Sequence, residues 1–264
     1  MITTNRPTGP VRAVEILLAG ARMQVLLVRS HPLIPVVTVV QPVVFFLVVT
    51  ARHPATADRA DLLFAVLLTS LWGGTLWTAG GILRRDMADG TLGRNLVSAS
   101  DPRLVVIGKC LGSCLLVLAL LACTGGTIAV VTGIHVPLAA LPWLVAGLVF
   151  VALSGTALGY LLSALFVLVR HPVQLTSALV FPVYILGGLL IPTSALPAPL
   201  AALARGISLY WAQRLLSSAV SGDGATLPAL LVLGALTIAY FLVGNVFFVR
   251  VVHRARVKGT IDLG

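Results

Sequence analysis

Charge is what this sequence has least of. Only 10% of its 264 residues are charged, while 58% are hydrophobic. Soluble globular chains carry roughly a quarter charged residues, so the composition excludes that class and defines a polytopic membrane protein. Acidic residues are the scarcest, with 8 Asp and Glu against 18 Lys and Arg. On this reading none of the apolar spans holds Asp, Glu or Lys in its interior, where an ion-coupled carrier places its relay. A phosphate-binding loop is also missing. The nearest fragment, Gly108-Lys109-Cys110, has Arg103 where the first glycine of the loop should stand. The three cysteines, Cys110, Cys114 and Cys123, share one apolar run. They are too few for a metal site and form no disulfide framework, so they read as small buried hydrophobes. With no nucleophile and base in a recognisable arrangement, enzyme chemistry has no candidate.

What is present is a series of apolar runs of membrane length. Residues 33–51, 62–83, 104–132, 141–169, 173–191 and 227–249 are each close to the roughly 20 residues that cross a bilayer as a helix. The sequence therefore predicts an all-α membrane protein with six transmembrane helices, the first kinked by Pro35 and Pro42. Residues 11–29 differ: Arg12, Glu15, Arg22 and Arg29 draw one polar stripe along an otherwise apolar helix, as in an amphipathic helix lying at the membrane interface. Residues 192–224 are apolar but broken by Pro192, Pro197 and Pro199. They predict short re-entrant outer-leaflet helices over 195–209 and 210–220, with Tyr210 and Trp211 at headgroup level.

Orientation follows from the basic residues. If the amino terminus is inside, fourteen Lys and Arg fall on the interior side and four, Arg52, Arg59, Arg205 and Arg214, outside. The positive-inside rule then puts both termini in the cytoplasm, and residues 1–10 lack the apolar core of a signal peptide, so no cleavage is expected. The basic residues flank spans and form no stripe interleaved with aromatic platforms, so no nucleic-acid partner is expected.

The one long polar interval between apolar runs extends from Arg84 to Lys109 and cannot lie in hydrocarbon. Residues 86–97 can form a short helix at the membrane face, with Met87, Leu92, Leu96 and Val97 on its apolar side. The order of features is specific: an acidic lead-in, then Gly90, Thr91 and Leu92, a leucine-bearing turn, a small-residue and proline corner over 98–102, and Gly108-Lys109 opening the next span. This pattern resembles the cytoplasmic coupling segment of type-2 ABC exporter permeases, which include drug, lipid and polysaccharide exporters. Many of those relatives carry a glutamate beside the triplet, where this chain has Gly93 and Arg94. A second stretch, Gly187, Gly188, Leu189, Leu190, Ile191 and Pro192 followed by Leu196 and Pro197, resembles the pattern after the fifth span of the same permeases.

The resemblance implies one permease domain over residues 1–264, with an interfacial helix (11–29), a cytoplasmic coupling segment (84–103) and an external re-entrant segment (192–224). It implies ATP-driven export of an amphipathic or lipid-like compound across the cytoplasmic membrane, with ATP and Mg held by separate ABC ATPase subunits and with a second permease subunit, identical or not. Asp86, Asp89, Gly90, Thr91, Leu92, Arg94 and Leu96 would then meet the ATPase, while Gln41, Thr75, Thr78, Gln174 and Tyr184 are candidates to line a substrate pathway among membrane lipids. A secondary carrier or a membrane scaffold is the alternative. The scaffold would retain no ATPase on purification.

Overall fold

The computed structural model describes residues 10–29, 33–52, 59–91, 101–134, 137–169, 171–186, 197–222 and 224–258. In chain order these form α1 (Pro10–Arg29), α2 (Leu33–Arg52), α3 (Arg59–Thr78), α4 (Ile82–Ala88) and α5 (Pro102–Thr132). After a 3₁₀ turn at Leu138–Ala140 come α6 (Leu141–Leu168), α7 (Pro172–Leu186), α8 (Ala198–Ala204), α9 (Ser208–Ser221) and α10 (Thr226–Lys258). No strand occurs among the described residues.

Five stretches are long and apolar enough to cross a membrane: Leu33–Ala51, Arg59–Ala88, Pro102–Thr132, Leu138–Leu168 and Thr226–His253. They match five of the six runs read from hydropathy. For the remaining run, 173–191, α7 gives 15 helical residues and residues 187–191 lie outside the described set. Pro42 sits inside α2 and Pro182 inside α7, and both helices continue through them.

Local chemistry sets the helix ends. Asp101, in extended conformation, accepts a hydrogen bond from the Arg103 backbone N–H at 3.0 Å, and Pro102 takes the first helical position of α5, where its missing N–H costs nothing. At the other end Gly133 adopts φ 69°. The Ile134 N–H reaches the Ala129 carbonyl and the Gly133 N–H the Val130 carbonyl, the Schellman closure that glycine permits. Within the helices Thr38, Thr69, Ser70, Thr78, Thr124, Thr156 and Thr237 return their hydroxyls to the carbonyl four residues back. Such hydroxyls are satisfied without a partner helix, which is how polar side chains enter an apolar bundle at low cost.

Glycines show which helices touch and in which sense. A Cβ on Gly155 would meet the Cys114 sulfur at 2.6 Å, and one on Gly159 would meet Ala79 Cβ at 2.6 Å with Thr75 and Cys110 close behind. As α6 advances from 155 to 159, α3 advances from Thr75 to Ala79 while α5 retreats from Cys114 to Cys110. So α3 and α6 run the same way and α5 runs against them. Gly234 against Phe150 and Gly244 against Tyr160 and Leu161 give α10 the direction of α6. The small-residue spacing at Gly155, Gly159 and Ser163 thus serves packing within the chain. Cys110 and Cys114 are buried in these contacts.

The core follows from this packing. Leu68, Leu71, Leu76, Val117, Leu121, Val151, Leu158, Leu215 and Leu233 form the central cluster. A second cluster of Ile82, Leu83, Val106, Tyr160, Phe248 and Val251 lies at the end where α3, α6 and α10 finish and α5 begins.

Helix α1 covers Pro10–Arg29, and Arg12, Glu15 and Arg22 are exposed on it. It lies closely against α5: Leu17 backbone atoms stand where a Gly108 Cβ would go, Ala21 Cα lies 2.7 Å from the Cβ position of Gly112, and the Val105 carbonyl oxygen is 2.8 Å from that of Gly20. Leu17 pairs with Gly108 and Ala21 with Gly112, so the two helices cross in the same sense. The Gly108 and Gly112 spacing is therefore also used inside the chain.

Candidate functional site at the charged end of the bundle

Residues 84–91 organise the end of the molecule where α3 finishes and α5 begins. The sequence predicts one helix over 86–97. The structure instead gives α4 as Ile82–Ala88 and closes it at Gly90, whose φ is +65°. The Thr91 N–H bonds to the Asp86 carbonyl at 2.8 Å, the Gly90 N–H to the Met87 carbonyl at 3.0 Å, and the Thr91 hydroxyl also reaches the Asp86 carbonyl at 3.2 Å. This is again a Schellman closure. It gives Gly90 and Thr91 a physical role: glycine supplies the left-handed residue, and threonine binds the last free carbonyl twice. A helix continuous from 86 to 97 is thus ruled out, because the α-helical path ends before Gly90. Leu92, Arg94 and Leu96 lie outside the described residues, and so does most of the second family-like stretch, 187–196.

Three consecutive side chains of α4 reach three different elements. Arg84 donates to the Val169 carbonyl at the end of α6, at 3.5 Å. Arg85 folds back on the end of α3, donating to the carbonyls of Thr78, Trp77 and Gly81, where a cation suits the negative end of the helix dipole. Asp86 accepts two hydrogen bonds from the Lys109 ammonium, at 2.8 Å to Oδ1 and 2.6 Å to Oδ2.

This last contact corrects the placement of Lys109 as a charge at the mouth of a span. Lys109 lies two turns inside α5, and its side chain is 3% exposed and that of Asp86 13%. Two unlike charges can enter such a place only together; removing one partner from a buried pair typically costs about 3–5 kcal/mol. Hydropathy averages do not reveal the pair, because one lysine among apolar residues barely alters the mean. Asp89 is exposed beyond the pair, and Thr91 is partly exposed.

The candidate pathway residues divide. Gln41 of α2 and Tyr184 of α7 come together, their side chains hydrogen-bonded. The Tyr184 hydroxyl also lies 3.1 Å from where a Cβ on Gly73 of α3 would stand. Thr75 faces the α3–α6 contact, and Thr78 bonds back to the Gly74 carbonyl. Gln174 is exposed near the start of α7, away from Gln41 and Tyr184.

At the opposite end α9 caps the bundle with Leu209, Ala212, Leu215, Leu216 and Ala219 as its buried face. The Ser217 hydroxyl hydrogen-bonds the Asp61 carboxylate, and the Gln213 side-chain amide donates to the Asp61 carbonyl at 3.0 Å. The break between α8 and α9 falls at Arg205–Ile207, earlier than the sequence predicts. There the Tyr240 hydroxyl donates to the Gly206 carbonyl and accepts from the Ser208 N–H. An apolar cavity of about 210 Å³ opens below α9, lined by residues that include Leu63, Leu67, Leu121, Gly125 and Leu216. Among the described residues, no polar side chain lines it.

A helical bundle with five stretches long and apolar enough to cross a membrane, and with its charged side-chain network of Arg84, Arg85, Asp86 and Lys109 at one end, fits a multi-pass membrane protein. The chain belongs to the ABC-2 type transporter family, whose model matches residues 14–221. No curated protein matches it. It is a permease subunit of an ABC transporter, a transport component and not a catalytic one, in a family that associates with ABC ATPase subunits.

Proposed function

We propose that this chain is the membrane subunit of an ATP-driven exporter and that residues 84–103 are its contact with a cytoplasmic ATPase. The observation that carries the reading is the construction of the charged end: α4 is closed by Gly90 and Thr91 and fastened to α3, α5 and α6 through Arg84, Arg85 and Asp86. A force applied to residues following α4 would thus act on three membrane helices at once. In this reading both termini are cytoplasmic, α1 sits at the inner membrane boundary with Arg12, Glu15 and Arg22 outward, and α8 and α9 dip into the outer leaflet. ATP and Mg bind the partner. Two permease subunits, identical or not, form the pathway, because one bundle packed through its centre leaves little room for a large substrate.

Substrate contact centres on the Gln41 and Tyr184 pair, where α2, α3 and α7 meet. An amphipathic compound, drug-like, lipid or lipid-linked glycan, suits a path with so few polar groups. Leu92 and Leu96, four residues apart, supply the apolar anchors for the ATPase, with Asp89 and Arg94 at the rim. Burial of two leucines is worth about 3–6 kcal/mol before association costs. The combined substitution Leu92→Asp and Leu96→Asp is expected to leave membrane insertion intact and to abolish retention of the ATPase on purification. A double variant that still retains its ATPase and exports at the normal rate rejects the assignment.

A further inference from the structure

We propose that the Asp86–Lys109 pair is the joint through which movement of the coupling segment reaches the membrane, with Lys109 as a positioning residue for transport; this rests on the coupling role proposed above. Arg84 makes one long bond to a carbonyl, and Arg85 binds the Trp77 and Thr78 carbonyls that end α3 and the Gly81 carbonyl of the turn, all in the stretch of chain that leads directly into its own helix. Among the described residues, only Asp86 joins α4 to a membrane helix by a side-chain pair with two charge-assisted bonds, the strong and directional kind.

The placement of Lys109 extends the connection. Its backbone nitrogen lies 3.3 Å from the Cβ position of Gly20 in α1, next to Gly108, which α1 also abuts. A displacement of α4 drawn through Lys109 therefore moves α5 and α1 together. Stability alone does not require the charges, since a well-packed apolar pair can replace a buried ion pair without loss. What an apolar pair lacks is a fixed donor–acceptor geometry, and a joint depends on that geometry.

The test uses the permease with its ATPase in lipid nanodiscs. Cys123 is replaced by Ala, and spin labels are placed at Val131→Cys and Leu227→Cys, both exposed at the outer ends of α5 and α10. Label distances are compared without nucleotide and with MgATP and vanadate, in the native pairing, in Lys109→Met, and in Asp86→Leu combined with Lys109→Met, which keeps the site apolar and packed. The native complex is expected to shift its label distance on trapping. Lys109→Met, outside the docking stretch, is expected to retain the ATPase and hydrolyse ATP but to lose at least half of that shift, and the apolar pair is expected to lose as much. A full shift in the apolar pair overturns the joint, as does absence of any shift in the native complex. Loss of the ATPase in the variants alone, or failure of the apolar pair to assemble, assigns the residues to docking or folding and also overturns it. Failure of the native permease to retain an ATPase rejects instead the coupling reading on which the joint depends.

Discussion

Gly112 shows how much of the bundle depends on a missing methyl group. Its Cβ position lies 2.7 Å from Ala21 Cα, so Gly112→Ala must push α1 away from α5, at a cost of about 1–3 kcal/mol for an overpacked contact. The expected result is a lower thermal unfolding midpoint of the detergent-solubilised protein. Gly126 is the control: nothing lies within 4 Å of its Cβ position, and Gly126→Ala should leave the midpoint unchanged or slightly raised. Equal effects at the two sites would reject the close α1–α5 approach. The pathway residues can be separated in the same way. Tyr184→Phe removes a hydroxyl bonded to Gln41 and should cost about 0.5–1.5 kcal/mol of stability while altering transport. Gln174→Ala, at an exposed position, should change stability little.

Among the elements, α4, seven residues long like α8, ends in a specific closure at Gly90 and Thr91. Because Gly90 is left-handed and has open space where a side chain would point, substitution there acts through backbone conformation alone. Gly90→Val should weaken the closure by about 1–2 kcal/mol, and Gly90→Asn by less, since asparagine tolerates the left-handed region. If the closure aims the segment at the ATPase, retention on purification falls in the order Gly, Asn, Val; equal retention in all three would separate the closure from docking. The outer cap gives a second test at this scale. Asp61 ties α3 to α9 through Ser217 and Gln213, and Asp61→Ala is expected to speed amide hydrogen exchange in α9 while leaving α5 protected. Uniform loss of protection would show instead that α9 and the bundle open as one unit.

For the whole molecule, the directions of α3, α5, α6 and α10 place Arg84, Arg85, Asp86, Arg103, Lys109 and Arg250 at one end, which the proposed orientation puts inside the cell. Cysteines introduced at Ala88 and Leu138, at opposite ends and both exposed, test this directly. With the native cysteines removed, a membrane-impermeant external thiol reagent should label the Leu138→Cys protein and spare Ala88→Cys. The reverse would invert the topology and remove the coupling assignment. Purified alone, the chain should hydrolyse no ATP, and gradient-driven uptake by the isolated subunit in liposomes would favour the secondary-carrier reading.

The membrane class, five of the spans and the family were legible in the sequence. Hydrocarbon admits only long uncharged helices, so apolar length and charge position alone determine them. The end of α4 was legible only in part: glycine at 90 marks a weak point, but whether a helix bends or stops there depends on which carbonyls find donors, and Thr91 supplies them. Partnership between Asp86 and Lys109, between Gln41 and Tyr184, and between the glycines of α5 and the backbone of α1 was decided by tertiary structure. Each joins residues from different helices, and how those helices face one another depends on close packing of small residues that no single-helix period encodes. The sequence by itself therefore determined where the chain meets lipid and where it meets water. Only the packed bundle decided which polar groups answer one another, because a buried charge or hydroxyl takes its meaning from the partner that the fold brings to it.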